Sequence, residues 1–122
     1  MEKSIEQQRK EFLEETVQFY SEDVTRRATD GYHCMYRTED GRKCAIGRHI
    51  SDDKYTSRME ENSCVSNIVF YSLPQEIQDL GQDFLSHIQS LHDGDENWGK
   101  EKGLSPIGEG KVNYIRKHFI KI

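Results

Sequence analysis

The stretch from His33 to Ile50 holds two of the chain's three cysteines and two of its five histidines. These residue types build zinc sites, redox pairs and thiol nucleophiles. Zinc cysteines usually come as a tight Cys-x2–4-Cys knuckle, whereas nine residues separate Cys34 from Cys44. Asp40-Gly41 between them is a hairpin turn signal, and two registers compete. A two-residue Asp-Gly loop puts Cys34, Tyr36, Lys43, Ala45 and His49 on one face, a poor core. A three-residue Glu39-Asp40-Gly41 loop, with Gly41 left-handed as a bulge, gathers Cys34, Tyr36, Cys44 and Ile46 instead. It leaves His33, Arg37, Lys43 and His49 on the opposite face. A slip of one residue flips every side chain, so the face that can be buried selects the second register. Tyr36 then opposes Cys44, and Cys34 opposes Ile46. The cysteines are diagonal neighbours and the histidines point away, so no Cys2His2 site closes within this hairpin. Its thiols are expected to pack as small hydrophobes, with Ala45 and Gly47 small where another element comes close.

The other candidates are weaker. His87, His92, Asp93, Asp95 and Glu96 are the densest set of metal-ligand types, but five residues of helix turn His92 about 140° from His87. The Asp-x-Asp-Glu run lacks EF-hand spacing, so a solvated helix end is expected and no metal is assigned. Cys64 has no histidine nearby in sequence to act as its base. Trp98, the single tryptophan, lies in a glycine-flanked loop, either as an anchor on the core or as a binding hot spot. Arg42, Lys43 and Arg48, with Arg26, Arg27, Arg116 and Lys117, could share a basic surface that grips a phosphate or an acidic partner. Ordinary surface arginines balancing the acids would look the same in sequence.

These residues must be positioned by a few elements. Ser4-x-x-Gln7 opens a helix with Leu13, Val17, Tyr20 and Val24 on one face, flanked by Phe12 and Phe19. Thr29-Asp30-Gly31 is expected to end it. The hairpin follows, then Ser51-Asp52-Asp53 capping a short turn. Cys64 to Tyr71 reads as a third strand or the lead-in to a helix, with strand preferred. Leu73 to Leu91 reads as one helix, started by Ser72 and Pro74, with a seam of Ile77, Leu80, Phe84, Leu85, Ile88 and Leu91. A polar connector from His92 to Gly103 leads to a last helix at Ser105-Pro106, whose inner face is Val112, Ile115 and Phe119. The fold class expected is α+β: an N-terminal helix, a central β-hairpin with a possible third strand, and two C-terminal helices.

The totals fit one small domain, residues 1–122. Hydrophobic residues make up 34% and charged residues 32%, above the roughly 25% charged that is usual, so the core is thin. Net charge is −5, which argues against general nucleic-acid binding, since that rests on neutralising many phosphates. The charge is uneven. Lys111 to the end carries four Lys/Arg and no acid, while Glu76 to Glu96 carries six acids and no Lys/Arg. No apolar run approaches the roughly 20 residues of a membrane span, and Met1 to Lys10 lacks the core of a signal peptide. A cytoplasmic protein with reduced thiols is expected.

The pattern Cys34-x-Tyr36-Arg37, Asp40-Gly41-x-x-Cys44-Ala45-Ile46-Gly47, Asp52-Asp53-x-Tyr55, Met59-Glu60, Leu91-His92-Asp93 and Trp98 resembles a group of small tailed-bacteriophage and prophage proteins. The likeness covers His33 to Trp98, and the Asp-Gly-x-x-Cys-Ala-x-Gly core is its most specific part. That group often has Cys or another small residue after the glycine. Here the position is Arg48, which speaks against a metal site built on an extra thiol. The resemblance implies a setting, a phage-encoded accessory protein in the host cytoplasm, and transfers no activity.

The first expectation is accordingly a protein that is not an enzyme, needs no cofactor, and binds and inhibits or redirects a host (defence) factor. Its surface would be Arg37, Arg42, Lys43 and Arg48 at the hairpin tip with the connector around Trp98. The alternative is a binder that sequesters a nucleotide immune signal, drawing on Tyr36, Tyr55, Trp98, Arg48, Arg58 and Arg116. Its pocket could lie at the interface of a homo-oligomer, which the long helix seams permit. A metal-dependent enzyme using the histidines with Asp95 and Glu96 ranks last.

Overall fold

Helix α1 begins where its cap stands: the Ser4 hydroxyl accepts the Gln7 N–H at 3.1 Å, satisfying one of the orphan donors of the first turn. The computed structural model describes residues 3–29, 35–61 and 65–122, and α1 spans Ile5–Glu22. Its inner face buries Leu13, Thr16 and Tyr20, and Thr16 returns its hydroxyl to the Phe12 carbonyl at 2.8 Å. The helix ends earlier than expected. At Asp23 the backbone is extended (φ −162°), and its carboxylate accepts the Thr25 N–H at 2.9 Å. That bond starts a separate 3-10 turn, Val24–Arg26. Asp30 and Gly31 lie outside the described residues.

The expected α+β class is overturned: among the described residues every regular element is helical, and there is no strand or sheet. The hairpin contracts to a turn. Thr38 N–H donates to the Arg42 carbonyl at 2.9 Å, Gly41 N–H to Thr38 at 3.1 Å, and Gly41 has φ +91°. Arg37 faces Lys43 in an isolated antiparallel bridge, the pairing a three-residue loop produces. The ladder stops there for two local reasons. Beyond Cys44 the chain crosses over into a 3-10 turn, Gly47–His49. Gly47 lies so close to the preceding arm that a Cβ would sit 2.3 Å from the Tyr36 carbonyl oxygen. Beside the arm, Glu60 accepts the backbone N–H groups of Tyr36 (2.8 Å) and Arg37 (3.0 Å) and the Tyr55 hydroxyl at 2.5 Å. One carboxylate thus takes both the Arg37 donor of the outer edge and the Tyr36 donor that the next rung would have aimed at the Cys44 carbonyl, which accepts the Arg48 N–H instead.

Glu60→Ala is therefore expected to cost about 2–3 kcal/mol, because two backbone donors and a phenol lose a charged acceptor at once. Urea unfolding measures it, and a loss within about 0.5 kcal/mol would show that water replaces the carboxylate freely.

The segment read as a third strand is instead α2, Asn67–Phe70, with residues 62–64 outside the description. The helix expected from Leu73 to Leu91 is also interrupted. It forms α3, Gln75–Gln78, and α4, Gln82–Asp93, separated at Gly81, which has φ +98°. Gly81 is the N-cap of α4 with ψ 137°, a backbone conformation that glycine adopts without a Cβ penalty and through which no helix runs. Arg9 on α1 secures the break. Its Nε donates to the Leu80 carbonyl at 2.8 Å and its Nη1 to Phe119 at 3.1 Å, at the end of the last helix.

That helix, α5, spans Pro106–Phe119, with Ser105 accepting the Gly108 N–H and Pro106 in the first turn. It packs against both α1 and α4. Phe84 of α4 touches Phe12 (ring centroids 6.2 Å) and Phe119 (5.7 Å). The stretch between the first 3-10 turn and α2 adds Tyr36, Cys44, Ala45, Ile46, Ile50 and Met59 to the same core. Among the described residues, no helix is long and apolar enough to cross a membrane.

Candidate functional site

The contracted turn is stiffened by its own side chains. Thr38 donates its hydroxyl to Asp40 and accepts the Arg42 N–H at 3.0 Å, and Asp40 accepts Arg42 Nε on both oxygens at 3.0 Å. The Thr38 hydroxyl, with Arg42 second, holds the Asp40 carboxyl down at about 2. Arg42 reaches inward as well, from Nη1 to the Arg27 carbonyl (3.0 Å) and from Nη2 to Thr29 (2.9 Å). It is a staple between the turn and the segment after α1 as much as a surface charge.

Beside this turn a concavity of about 450 Å³ is lined by Phe19, Arg26, Gly41, Arg42, Lys43 and Arg48. Four of the six carry positive charge and none is acidic. Arg48 is oriented by a two-point bond to Glu15 (3.2 and 2.6 Å), with its guanidinium carbon 3.9 Å from the Phe19 ring centroid. Arg26 sits over the same ring at 4.7 Å and pairs with Glu22 at 2.9 Å. The Lys43 carbonyl accepts the Tyr20 hydroxyl at 2.6 Å, which pins the backbone from below. Among the described residues the Lys43 ammonium has no carboxylate partner. The arrangement can receive an anionic group, with Lys43 supplying the uncompensated charge.

Three of the five candidate residues, Arg42, Lys43 and Arg48, thus meet in one place. Arg37 does not line it. Its guanidinium is occupied by Asp52 (2.7 Å) and the Ile50 carbonyl (2.6 Å) and stacks on Tyr55 at 4.5 Å. Trp98 is corrected: it is only 6% exposed, with Nε1–H donating to the carbonyls of Leu91 (3.0 Å) and His92 (3.3 Å). It is the loop's anchor and offers no contact surface. Arg27 is also withdrawn from the basic surface, being buried against the His92 and Asp93 carbonyls at 2.7 and 2.9 Å. Phe19 and Arg26 complete the site. In sequence Phe19 reads only as a flank of the apolar face of α1, and the extended residue at Asp23, which turns Arg26 back over its ring, has no local sequence signal.

The metal reading finds no support among the described residues, where no group of three or more ligand-type side chains converges. His92 is fully buried, with both ring nitrogens engaged. Nε2 accepts the Ala28 N–H at 3.2 Å, so Nδ1 carries the proton shared with Asp93 at 2.7 Å. His87 packs on Tyr114 and Phe119 instead. Cys44 is buried, and burial pushes its thiol up to about 12, so it packs as a small hydrophobe. His33, Cys34 and Cys64, with the diagonal cysteine pair and the nucleophile reading, lie outside the described residues.

Burial lowers the pKa of His92, opposed by Asp93, and also lowers that of His49. In the unfolded chain both return to about 6.5. Between that value and the lower folded values the unfolded state binds more protons, so stability falls as pH falls. The melting temperature is expected to drop from pH 7.5 to pH 5, before carboxylates such as Asp40 begin to matter. Equal melting temperatures at the two pH values would overturn this.

Comparison of the chain with protein-family models, with curated proteins and with solved structures finds no match in any of the three.

Proposed function

We propose that this protein acts by binding, and that the concavity beside the Thr38–Arg42 turn receives a carboxylate from an acidic segment of another protein. The carrying observation is a cavity lined by four cations and no acid, in which Lys43 alone lacks a carboxylate partner among the described residues. One free positive charge suits a single carboxylate better than a nucleotide polyphosphate. The aromatic ring at hand, Phe19, already carries two guanidinium groups. Of the residues considered for a nucleotide, only Arg48 lines the cavity, and Tyr36 and Trp98 are buried. In the setting that the phage resemblance implies, the partner is a host (defence) factor that the protein inhibits or redirects.

Lys43→Glu is the test, because Arg42 and Arg48 also hold the fold. Capture from bacterial lysate is run in parallel with wild-type and variant protein, and any captured partner is titrated against both. A partner that binds the variant about tenfold or more weakly, with melting temperature unchanged, supports the reading. Equal binding removes the concavity from the interface. Thermal stabilisation by a nucleotide panel, lost in the variant, would favour the nucleotide reading instead.

A further inference from the structure

The concavity leaves the chain's charge asymmetry unused, and a second surface takes it up. A groove of about 910 Å³ runs between the first half of α1 and α3. Ile5, Phe12, Ile77 and Leu80 give it apolar walls, and Ile5 is 36% exposed. Its rim is acidic. Glu76 and Asp79 have no cationic partner among the described residues, and the one lining cation, Lys3, is held on Glu11 at 2.7 Å.

Helix α5 carries the complement. Ile107 and Tyr114 are 62% and 47% exposed, and with Lys111 and His118 they fall at i, i+4, i+7 and i+11, one stripe along three helical turns. The Tyr114 and His118 rings stack at 4.2 Å and His87 supports Tyr114 from α4 at 5.5 Å, so the stripe is held in place. Lys111 on the stripe and Lys117, about 80° to its side, have no carboxylate partner among the described residues. The helix's one acid, Glu109, lies about 200° around from Ile107, so α5 itself presents an apolar and basic stripe, with Glu96 of the preceding connector in the hollow that Ile107, Lys111 and Tyr114 line.

We propose that the acid-rimmed groove between α1 and α3 receives the Ile107–His118 stripe of α5 from a second copy of this chain. An amphipathic helix in a groove is a common recognition mode, with anchors at this spacing. The opposed charges set the register and disfavour groove-to-groove or helix-to-helix pairing. The contact uses different patches on the two copies, so it closes into a pair only when both contacts form together and otherwise extends head to tail. It is independent of the site beside the turn.

Sedimentation equilibrium of three proteins tests it: wild type, a groove variant (Glu76→Lys with Asp79→Lys) and a helix variant (Lys111→Glu with Lys117→Glu). Glu76, Asp79 and Lys117 are exposed and Lys111 is half-buried, and a melting curve confirms that each variant is folded. Wild-type weight-average mass should rise above the 14.3 kDa of one chain with concentration and fall with added salt. Each variant alone should associate at least about tenfold more weakly, and an equimolar mixture of the two should recover association through its restored pairs. Wild type that stays monomeric at millimolar concentration overturns the proposal, and this is also the result if the groove takes only a basic helix from another protein. Association that neither variant weakens, or a mixture that does not recover, overturns it as well.

Discussion

Trp98→Ala is expected to lower stability by about 3–5 kcal/mol, the range for emptying a buried aromatic site. The indole is 6% exposed and packs edge-on to Tyr20 at 5.9 Å, in the centre of the contact between α1 and the connector after α4. Trp98→Phe separates packing from hydrogen bonding. The carbonyls bonded by the indole keep other donors, since Leu91 also accepts Asn97 Nδ2 at 3.1 Å and His92 also accepts Arg27 Nε at 2.7 Å. No acceptor is orphaned, so the phenylalanine variant should lose only one shared hydrogen bond and part of the ring volume, about 1–2 kcal/mol. Chemical denaturation of the three proteins measures both. If the alanine variant melts with the wild type while losing a partner, Trp98 is a contact residue and not the loop's anchor.

Gly108→Ala should be comparably severe although it adds one methyl group. A Cβ there would sit 1.9 Å from the Asn97 carbonyl oxygen, so backbone must move. That carbonyl is not free to yield: it accepts the Ser105 N–H at 2.9 Å, just before α5 begins. The expected loss is about 3 kcal/mol, the upper part of the usual range for overpacking, or roughly 10–15 °C in Tm. Gly110→Ala on the same helix is the control. Nothing lies within 4 Å of its added Cβ, so the better helix former should gain about 0.5–1 kcal/mol. A loss at Gly110 equal to that at Gly108 would show that helix propensity, not the approach of the connector, dominates.

Local rules were readable in the chain wherever one residue type has one job. The Ser4 and Ser105 caps, the turn at Asp40-Gly41, Leu13 and Tyr20 on the inner face of α1, and Val112 and Ile115 on that of α5 follow from short-range chemistry that tertiary context rarely reverses, whereas Val24 falls beyond the end of α1. The basic cluster was readable as composition, and Arg42, Lys43 and Arg48 do meet. Other features depended on groups far apart in sequence. Whether two β-prone arms become a hairpin is decided by what takes the donors and acceptors of the next rung, and Glu60, more than twenty residues away, takes the Tyr36 N–H while Arg48 takes the Cys44 carbonyl. Gly81 could have been noticed as a break in the Leu73–Leu91 seam, but the apolar period runs through it, and Arg9 from another helix secures the interruption. Trp98 and Arg27 illustrate the same limit: a tryptophan in a polar loop reads equally as an anchor or a contact residue, and an arginine in a basic run reads as a surface charge. Backbone carbonyls at the end of α4 draw both inward. Periodicity and capping act within a few residues and are therefore written in the sequence, whereas burial of a polar side chain depends on partners that only the folded chain brings within hydrogen-bond reach.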